Sequence, residues 1–99
     1  MKFRWLPLAR SDIEGLKEYY IEAASLKVAA SQISKIGKAA RLLQTQPYMG
    51  HFSANDTDGD VFEWHIPSTN YTIPYMIFEN HIEILSVFDQ RQKRPKLWN

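Results

Sequence analysis

The sequence predicts an α+β fold with the element order β-α-α-β-β-β, in which a helix hairpin packs on one face of a mainly antiparallel sheet. Two observations lead to this prediction. Apolar residues recur at three- and four-residue spacing through residues 8–45, which is typical of amphipathic helices. From residue 60 onward, short runs rich in β-branched and aromatic residues alternate with turn residues, which is typical of strands. The 99 residues fit a single domain, 1–99, that ends in a basic tail, 90–99.

The chain is expected to begin with a short strand and two long helices. Residues 2–6 contain alternating aromatic and basic side chains, which suit a strand, and Pro7 ends that strand because proline has no N–H to donate. Pro7 also suits the start of a helix, which we place at 8–23. Ser25 can cap a second helix at 26–45. The link between the helices is so short that they must run antiparallel.

Three further strands are expected after a loop at 48–59. We place them at 60–66, 71–78 and 81–88. Glu79-Asn80 joins the last two as a two-residue hairpin turn, in which Asn80 tolerates the positive φ that a tight turn needs. Pro74 falls inside a strand, where proline usually accompanies a bulge, and we therefore predict a bulge at that position.

Charge is distributed unevenly along the chain, although the net charge is only +1. Residues 1–41 hold eight Lys or Arg against four Asp or Glu, and residues 91–99 hold four basic residues and no acidic one. Residues 42–90 hold seven Asp or Glu and no Lys or Arg. The middle of the chain is therefore expected to repel RNA, whereas the tail is suited to an anionic surface.

The composition argues against several kinds of site. The chain has no cysteine, which excludes disulfides and thiolate metal ligands. Residues 55–60 resemble a calcium loop, but Ala54 and His65 occupy the positions where Asp and Glu are required. The three histidines lack metal-ligand spacing, and the four glycines are too dispersed to form a phosphate-binding loop. We expect no cofactor and no metal.

No apolar run is long enough for a signal peptide or a membrane span. We therefore expect a soluble, cytoplasmic protein that does not associate with a membrane.

Four short motifs occur in an order and at a spacing that are found in a known family. They are Trp5-x-Pro7-x-Ala9-x-x-Asp12-Ile13-x-x-Leu16-x-x-Tyr19-Tyr20-Ile21, Pro47-x-x-Gly50, Tyr71-Thr72-Ile73-x-Tyr75 and Ile84-Leu85-x-Val87-x-x-x-Arg91. With these motifs the chain resembles, over nearly its whole length, the ParE/RelE superfamily of toxins and in particular its ParE-like branch. Asp89 occupies a position where many members carry a histidine.

The resemblance implies a toxin of a type II toxin–antitoxin system, assembled with a cognate antitoxin that folds partly against it. ParE-like members cause growth arrest by binding and poisoning DNA gyrase and are not enzymes. RelE-like members instead cleave messenger RNA on the ribosome. A third alternative is a degenerate toxin that is kept only as an antitoxin-binding protein. The absence of Lys and Arg from the three strands after the helices favours the gyrase-directed function.

The candidate site residues differ between these alternatives. A gyrase-binding toxin would contact its target through the tail, and the candidates are Arg91, Lys93, Arg94 and Trp98. A ribonuclease needs a base, an acid and cations around the phosphate. It would have to assemble them from His65, Tyr75, Arg91, Lys93 and Arg94. The tail could also be a solvated C-terminus that only aids solubility. Strand 2–6, if it lies at a sheet edge, is a candidate for strand addition by the antitoxin.

Overall fold

The computed structural model of the chain describes residues 2–53 and 59–91. It contains two helices and a six-stranded mixed sheet, which confirms the α+β fold with its helix hairpin on a sheet. The elements are β1 (Lys2–Trp5), α1 (Pro7–Ala23), α2 (Leu26–Thr45), β2 (His51–Phe52), β3 (Val61–His65), β4 (Tyr71–Ile77), β5 (His81–Ile84) and β6 (Phe88–Asp89).

The sheet has the strand order β1-β5-β4-β3-β2, and β6 also pairs with β4. The pairings from β2 through β6 are antiparallel, as the short connections between them require. Strand β1 instead runs parallel to β5, with Lys2 opposite His81 and Trp5 opposite Ile84. The start of the chain thus lies beside a strand near its end, and β1 and β2 form the two ends of the strand order.

The helices begin and end where their sequences allow. Helix α1 starts at Pro7, one residue earlier than predicted, and Leu6 before it makes no side-chain capping bond. Helix α2 occupies the predicted range, and the Oγ of Ser25 accepts a hydrogen bond from the Val28 N–H at 3.1 Å. Alanines such as Ala9 and Ala40 are buried, and their small side chains let the helices approach each other and the sheet closely.

One hydrophobic core lies between the helix hairpin and one face of the sheet. Strand residues alternate between faces. Phe62 lies opposite Tyr75, and Trp64 lies opposite Ile73, on the face that the helices cover. The core consists of Ala9, Ile36, Ala39, Ala40, Leu43, Ile66, Tyr71, Ile73, Tyr75, Ile82, Ile84 and Val87.

The irregularity predicted at Pro74 lies in the neighbouring strand instead. Pro74 is inside an unbroken β4, in constant register with β3. On the other side of β4, Ile84 lies opposite Tyr75 but Asp89 lies opposite Tyr71, so one extra residue is accommodated between β5 and β6. The Pro74 carbonyl points to this side and accepts from the Leu85 N–H at 2.9 Å. The missing proline N–H would point the same way, which explains why the ladder breaks here and divides the predicted strand 81–88.

Two local predictions are wrong. The turn between β4 and β5 closes as expected, since the Phe78 N–H donates to the His81 carbonyl at 2.9 Å, but Asn80 does not take a positive φ. Among the described non-glycine residues, only Ser68 has one, at 63°. The predicted loop 48–59 contains the short strand β2, which pairs with β3.

Candidate functional site

Arg91 follows β6 and is held by Asp89 in a two-pronged ion pair. The Arg91 Nε–H donates to Asp89 Oδ1 at 3.0 Å, and Nη2 donates to Oδ2 at 2.6 Å. The backbone N–H of Arg91 also donates to Oδ1, at 2.8 Å. The hydrogen bonds from Arg91 are the main reason that the pKa of Asp89 lies below its usual value. The Arg91 side chain is 72% exposed, whereas that of Asp89 is 13% exposed.

The segment that carries this ion pair is anchored to the sheet. Asp89 lies opposite Tyr71 in the β4–β6 pairing. The Gln90 N–H then donates to the Asn70 carbonyl at 2.6 Å. Arg91 therefore follows a backbone segment whose path is fixed by hydrogen bonds to β4 and to the residue before it.

A groove of about 670 Å³ lies beside the ion pair, between α1 and the segment from Ser86 to Arg91. Asp12 of helix α1 forms hydrogen bonds to the segment on the other side of this groove. The Oδ2 of Asp12 accepts from the Ser86 hydroxyl at 2.5 Å and from the Val87 N–H at 3.0 Å. The Asp12 contacts thus hold the extra residue between β5 and β6 against the helix.

Tyrosines line one side of the groove. The hydroxyl groups of Tyr20 and Tyr71 are hydrogen-bonded to each other. Burial, followed by this hydrogen bond, raises the pKa of Tyr71 above its ordinary value, and the charge of Asp89 acts in the same direction. The ring of Tyr19 packs edge-to-face on Tyr20 at 5.2 Å and is 62% exposed. The groove therefore presents an exposed aromatic ring and hydrogen-bonding groups next to Arg91.

A family model for the ParE toxin of type II toxin–antitoxin systems, parDE, matches residues 3–94. The chain belongs to the ParE toxin family. This confirms the superfamily that the sequence motifs indicate, and the implied type II toxin.

One solved structure similar to this ParE-family chain is described as the chromosomal ParDE TA system from P. aeruginosa. The superposition has a TM-score of 0.77 and covers 90% of this chain and 95% of that chain, at 17% sequence identity. At this identity the similarity shows that the two chains share a fold. No curated protein sequence matches the chain.

The Pro47-x-x-Gly50 motif of this ParE-family chain is fixed by Tyr75. The Tyr75 hydroxyl donates to the Pro47 carbonyl at 2.8 Å and accepts from the Gly50 N–H at 3.0 Å. The Tyr75 side chain is fully buried. A Cβ on Gly50 would lie 2.6 Å from the carbonyl oxygen of Glu63 and 2.6 Å from the Tyr75 hydroxyl. Tyr75 thus holds the turn after α2 in place.

The residues predicted for a ribonuclease site are not brought together where the structure describes them. His65 is exposed at the end of β3, opposite Thr72, and its Nδ1 lies 3.1 Å from the Tyr71 carbonyl oxygen. Strand alternation places the His65 side chain on the opposite face of the sheet from Tyr75. Arg91 lies beside Tyr71, the first residue of β4. Three further candidates lie outside the described residues, and their roles stay predictions: Lys93, Arg94 and Trp98.

Sequence reasoning selected Arg91 but missed Asp89 and Tyr71 as its neighbours. The signal for Asp89 was present, because an acid two residues before an arginine can pair with it in a turn. The signal for Tyr71 was absent, because its position next to β6 depends on the register of a two-residue strand.

Within residues 2–53 and 59–91, no group of three or more His, Asp or Glu side chains could hold a metal ion. Neither α1 nor α2 has the combination of length and apolar character that a bilayer span requires.

Proposed function

We propose that this ParE-family toxin inhibits DNA gyrase by binding it, without itself breaking a bond, and that a cognate antitoxin neutralises it. The observation that carries the proposal is the family match over residues 3–94. The proposal places the toxin in the cytoplasm, together with its target and its antitoxin.

Two features favour binding over RNA cleavage. Residues 42–90, which supply strands β2 to β6, contain no Lys or Arg to hold a phosphate. The hydroxyl of Tyr75 is engaged by Pro47 and Gly50, and its side chain is buried away from His65. A cleaving site would need a base and an acid within reach of the same phosphate. This arrangement supports a toxin that acts by binding its target rather than by cleaving RNA.

The antitoxin would cover apolar surface at the β1 side of the molecule. Strand β1 ends the strand order, and an extended antitoxin segment could pair with it. An apolar groove of about 400 Å³, lined in part by Trp5, Ile13 and Ile33, lies between the two helices next to β1. An amphipathic antitoxin helix could lie in that groove, as helices do in other apolar grooves.

A supercoiling assay with purified toxin and gyrase tests the proposal. The toxin is expected to inhibit supercoiling and to trap gyrase–DNA cleavage complexes, and added antitoxin is expected to relieve both effects. Unaltered supercoiling at saturating toxin would contradict the gyrase target.

Two further results would support the alternatives. New cleavage sites detected by toeprinting on translating ribosomes would favour the messenger-RNA endoribonuclease. Normal growth during induced expression, with antitoxin binding preserved, would favour the degenerate toxin.

A further inference from the structure

Asp89 occupies only one edge of the Arg91 guanidinium. A guanidinium is planar and has N–H donors along more than one edge. Asp89 accepts from Nε and from Nη2, which leaves Nη1 and the second hydrogen of Nη2 pointing away from the pair. Since the Arg91 side chain is 72% exposed, those donors are accessible to a partner.

Asp89 also fixes the direction in which these donors point. Its own carboxylate is largely covered, and its backbone pairs with Tyr71 in the sheet. The same carboxylate accepts the backbone N–H of Arg91. The Asp89 carboxylate therefore holds both the backbone and the side chain of Arg91. This ion pair differs from most exposed ion pairs, in which two flexible side chains meet.

The ion pair also changes what Arg91 can recognise. The Asp89 carboxylate offsets the positive charge of the guanidinium, so the attraction to a phosphate backbone is small. The directional N–H donors remain, and they suit a carbonyl or another oxygen acceptor on a protein surface. The exposed ring of Tyr19 nearby adds the kind of aromatic contact that is enriched in protein–protein interfaces.

We propose that Asp89 is a positioning residue, which holds Arg91 as an oriented hydrogen-bond donor for an acceptor on a protein surface at the mouth of the tyrosine-lined groove. The proposal rests on the proposed function, in which Arg91 contacts the target. It assigns a role to Asp89 at the position where many members of the superfamily carry a histidine.

Variants of the full chain distinguish two roles for Asp89: it either positions the Arg91 side chain or only neutralises its charge. If Asp89 positions Arg91, Asp89→Ala and Arg91→Ala should each weaken gyrase inhibition by about tenfold or more, as expected for a buried interface anchor. Arg91→Lys should also weaken inhibition, because an ammonium cannot form the fork. If Asp89 only masks the charge, Asp89→Ala should inhibit as well as the parent or better, and that result would overturn the proposal.

A double variant and a salt series sharpen the test. Asp89→Ala combined with Arg91→Ala should be no weaker than Arg91→Ala alone, since Asp89 acts through Arg91, whereas additive losses would contradict the proposal. The parent and Arg91→Ala should show nearly the same dependence of inhibition on salt, whereas an Arg91 that bound phosphate would add about 0.9 to the logarithmic salt slope of the parent. Glu79→Gln, in the turn at the other end of β4, is the matched charge control and should inhibit like the parent.

Two readouts keep the inference separate from the gyrase target. If the parent toxin leaves supercoiling unaltered, the proposed function fails, and growth arrest by the same variants tests the positioning role without reference to a target. In the isolated toxin, nuclear magnetic resonance should show slow solvent exchange of the Arg91 Nε–H in the parent and fast exchange in Asp89→Asn. Equal exchange in two equally folded proteins would overturn the inference.

Discussion

Gly50 shows how a single residue in this fold can be fixed by contacts far away in the sequence. Its N–H binds the Tyr75 hydroxyl, and its Cα lies so close to the Glu63 carbonyl that no side chain fits. The motif Pro47-x-x-Gly50 was visible in the sequence, but its partner, Tyr75, lies in β4, the third strand after it. In the sequence Tyr75 was recognised as a motif residue and a catalytic candidate, but sequence spacing gives no sign of its contact with this turn.

Replacing Gly50 with alanine should destabilise the protein, and replacing Gly15 should not. The new Cβ at position 50 would meet two oxygen atoms at 2.6 Å, and relieving such overpacking costs about 1–3 kcal/mol. Gly15 lies in α1 with nothing within 4 Å of the added Cβ, so Gly15→Ala should stabilise by about 0.5–1 kcal/mol. Urea titrations of both variants measure these changes, and equal stabilities would contradict the role of Gly50.

Tyr71 should make the protein sensitive to alkaline pH. Burial and the hydrogen bond with Tyr20 raise the pKa of Tyr71, so the folded state holds this proton more tightly than the unfolded state. Its contribution to stability is complete below about pH 10, the ordinary tyrosine pKa, and is lost as pH rises through the raised value. Tyr71→Phe should therefore flatten the decline of the free energy of unfolding above pH 10.

The control for Tyr71 is Tyr48→Phe, at a tyrosine that is 72% exposed. Chemical denaturation at a series of pH values measures the slope in each variant. An alkaline slope in Tyr71→Phe as steep as in the parent would contradict the assignment.

At the scale of elements, the sequence predicts long periodic segments well and short ones poorly. The bounds of α2 were predicted without error and those of α1 within one residue, because a helical stripe repeats several times over such lengths. Strands β2 and β6 have two residues each, too few for any periodicity. The irregularity beside Pro74 was assigned to the wrong strand, because the missing N–H of a proline disturbs its neighbour in the sheet.

The contact between α1 and the segment after β5 depends on Asp12. Asp12→Ala would leave the Val87 N–H and the Ser86 hydroxyl without this acceptor, and both of these residues are buried. We expect a loss of about 1–3 kcal/mol in the free energy of unfolding. Glu18→Ala, at an exposed position of the same helix, should change stability by less than about 0.5 kcal/mol.

A double-mutant cycle with Ser86→Ala isolates the pairwise part of this contact. Residues that share a hydrogen bond typically show a coupling energy of about 0.5–3 kcal/mol. Additive effects of the two substitutions would mean that Asp12 does not stabilise the fold through Ser86.

At the scale of the whole molecule, helices and sheet share one core and should unfold together. Leu43 is fully buried in that core, whereas its neighbour Leu42 is 49% exposed. Leu43→Ala should cost about 2–5 kcal/mol, and Leu42→Ala should change stability by less than about 0.5 kcal/mol. Helical circular dichroism and tryptophan fluorescence should report the same transition in both variants. Separate transitions would show that the hairpin and the sheet are not one cooperative unit.

The overall architecture followed from the order of predicted elements, but the pairing of β1 did not. Alternation in residues 2–6 indicates a strand without naming its neighbour. The parallel pairing with β5 requires the rest of the sheet to be in place, since β5 takes its own position from β4. Long-range pairings of this kind are a property of the whole molecule and leave no local signal.

The parallel β1–β5 pair also sets when a nascent chain can finish folding. The partner of Lys2 is His81, so β1 is translated well before the strand with which it pairs. At roughly 5–20 residues per second, translation takes several seconds to cover that distance. Until then the helices can form but the β1–β5 pair cannot, and this domain completes its sheet only after β5 has been translated.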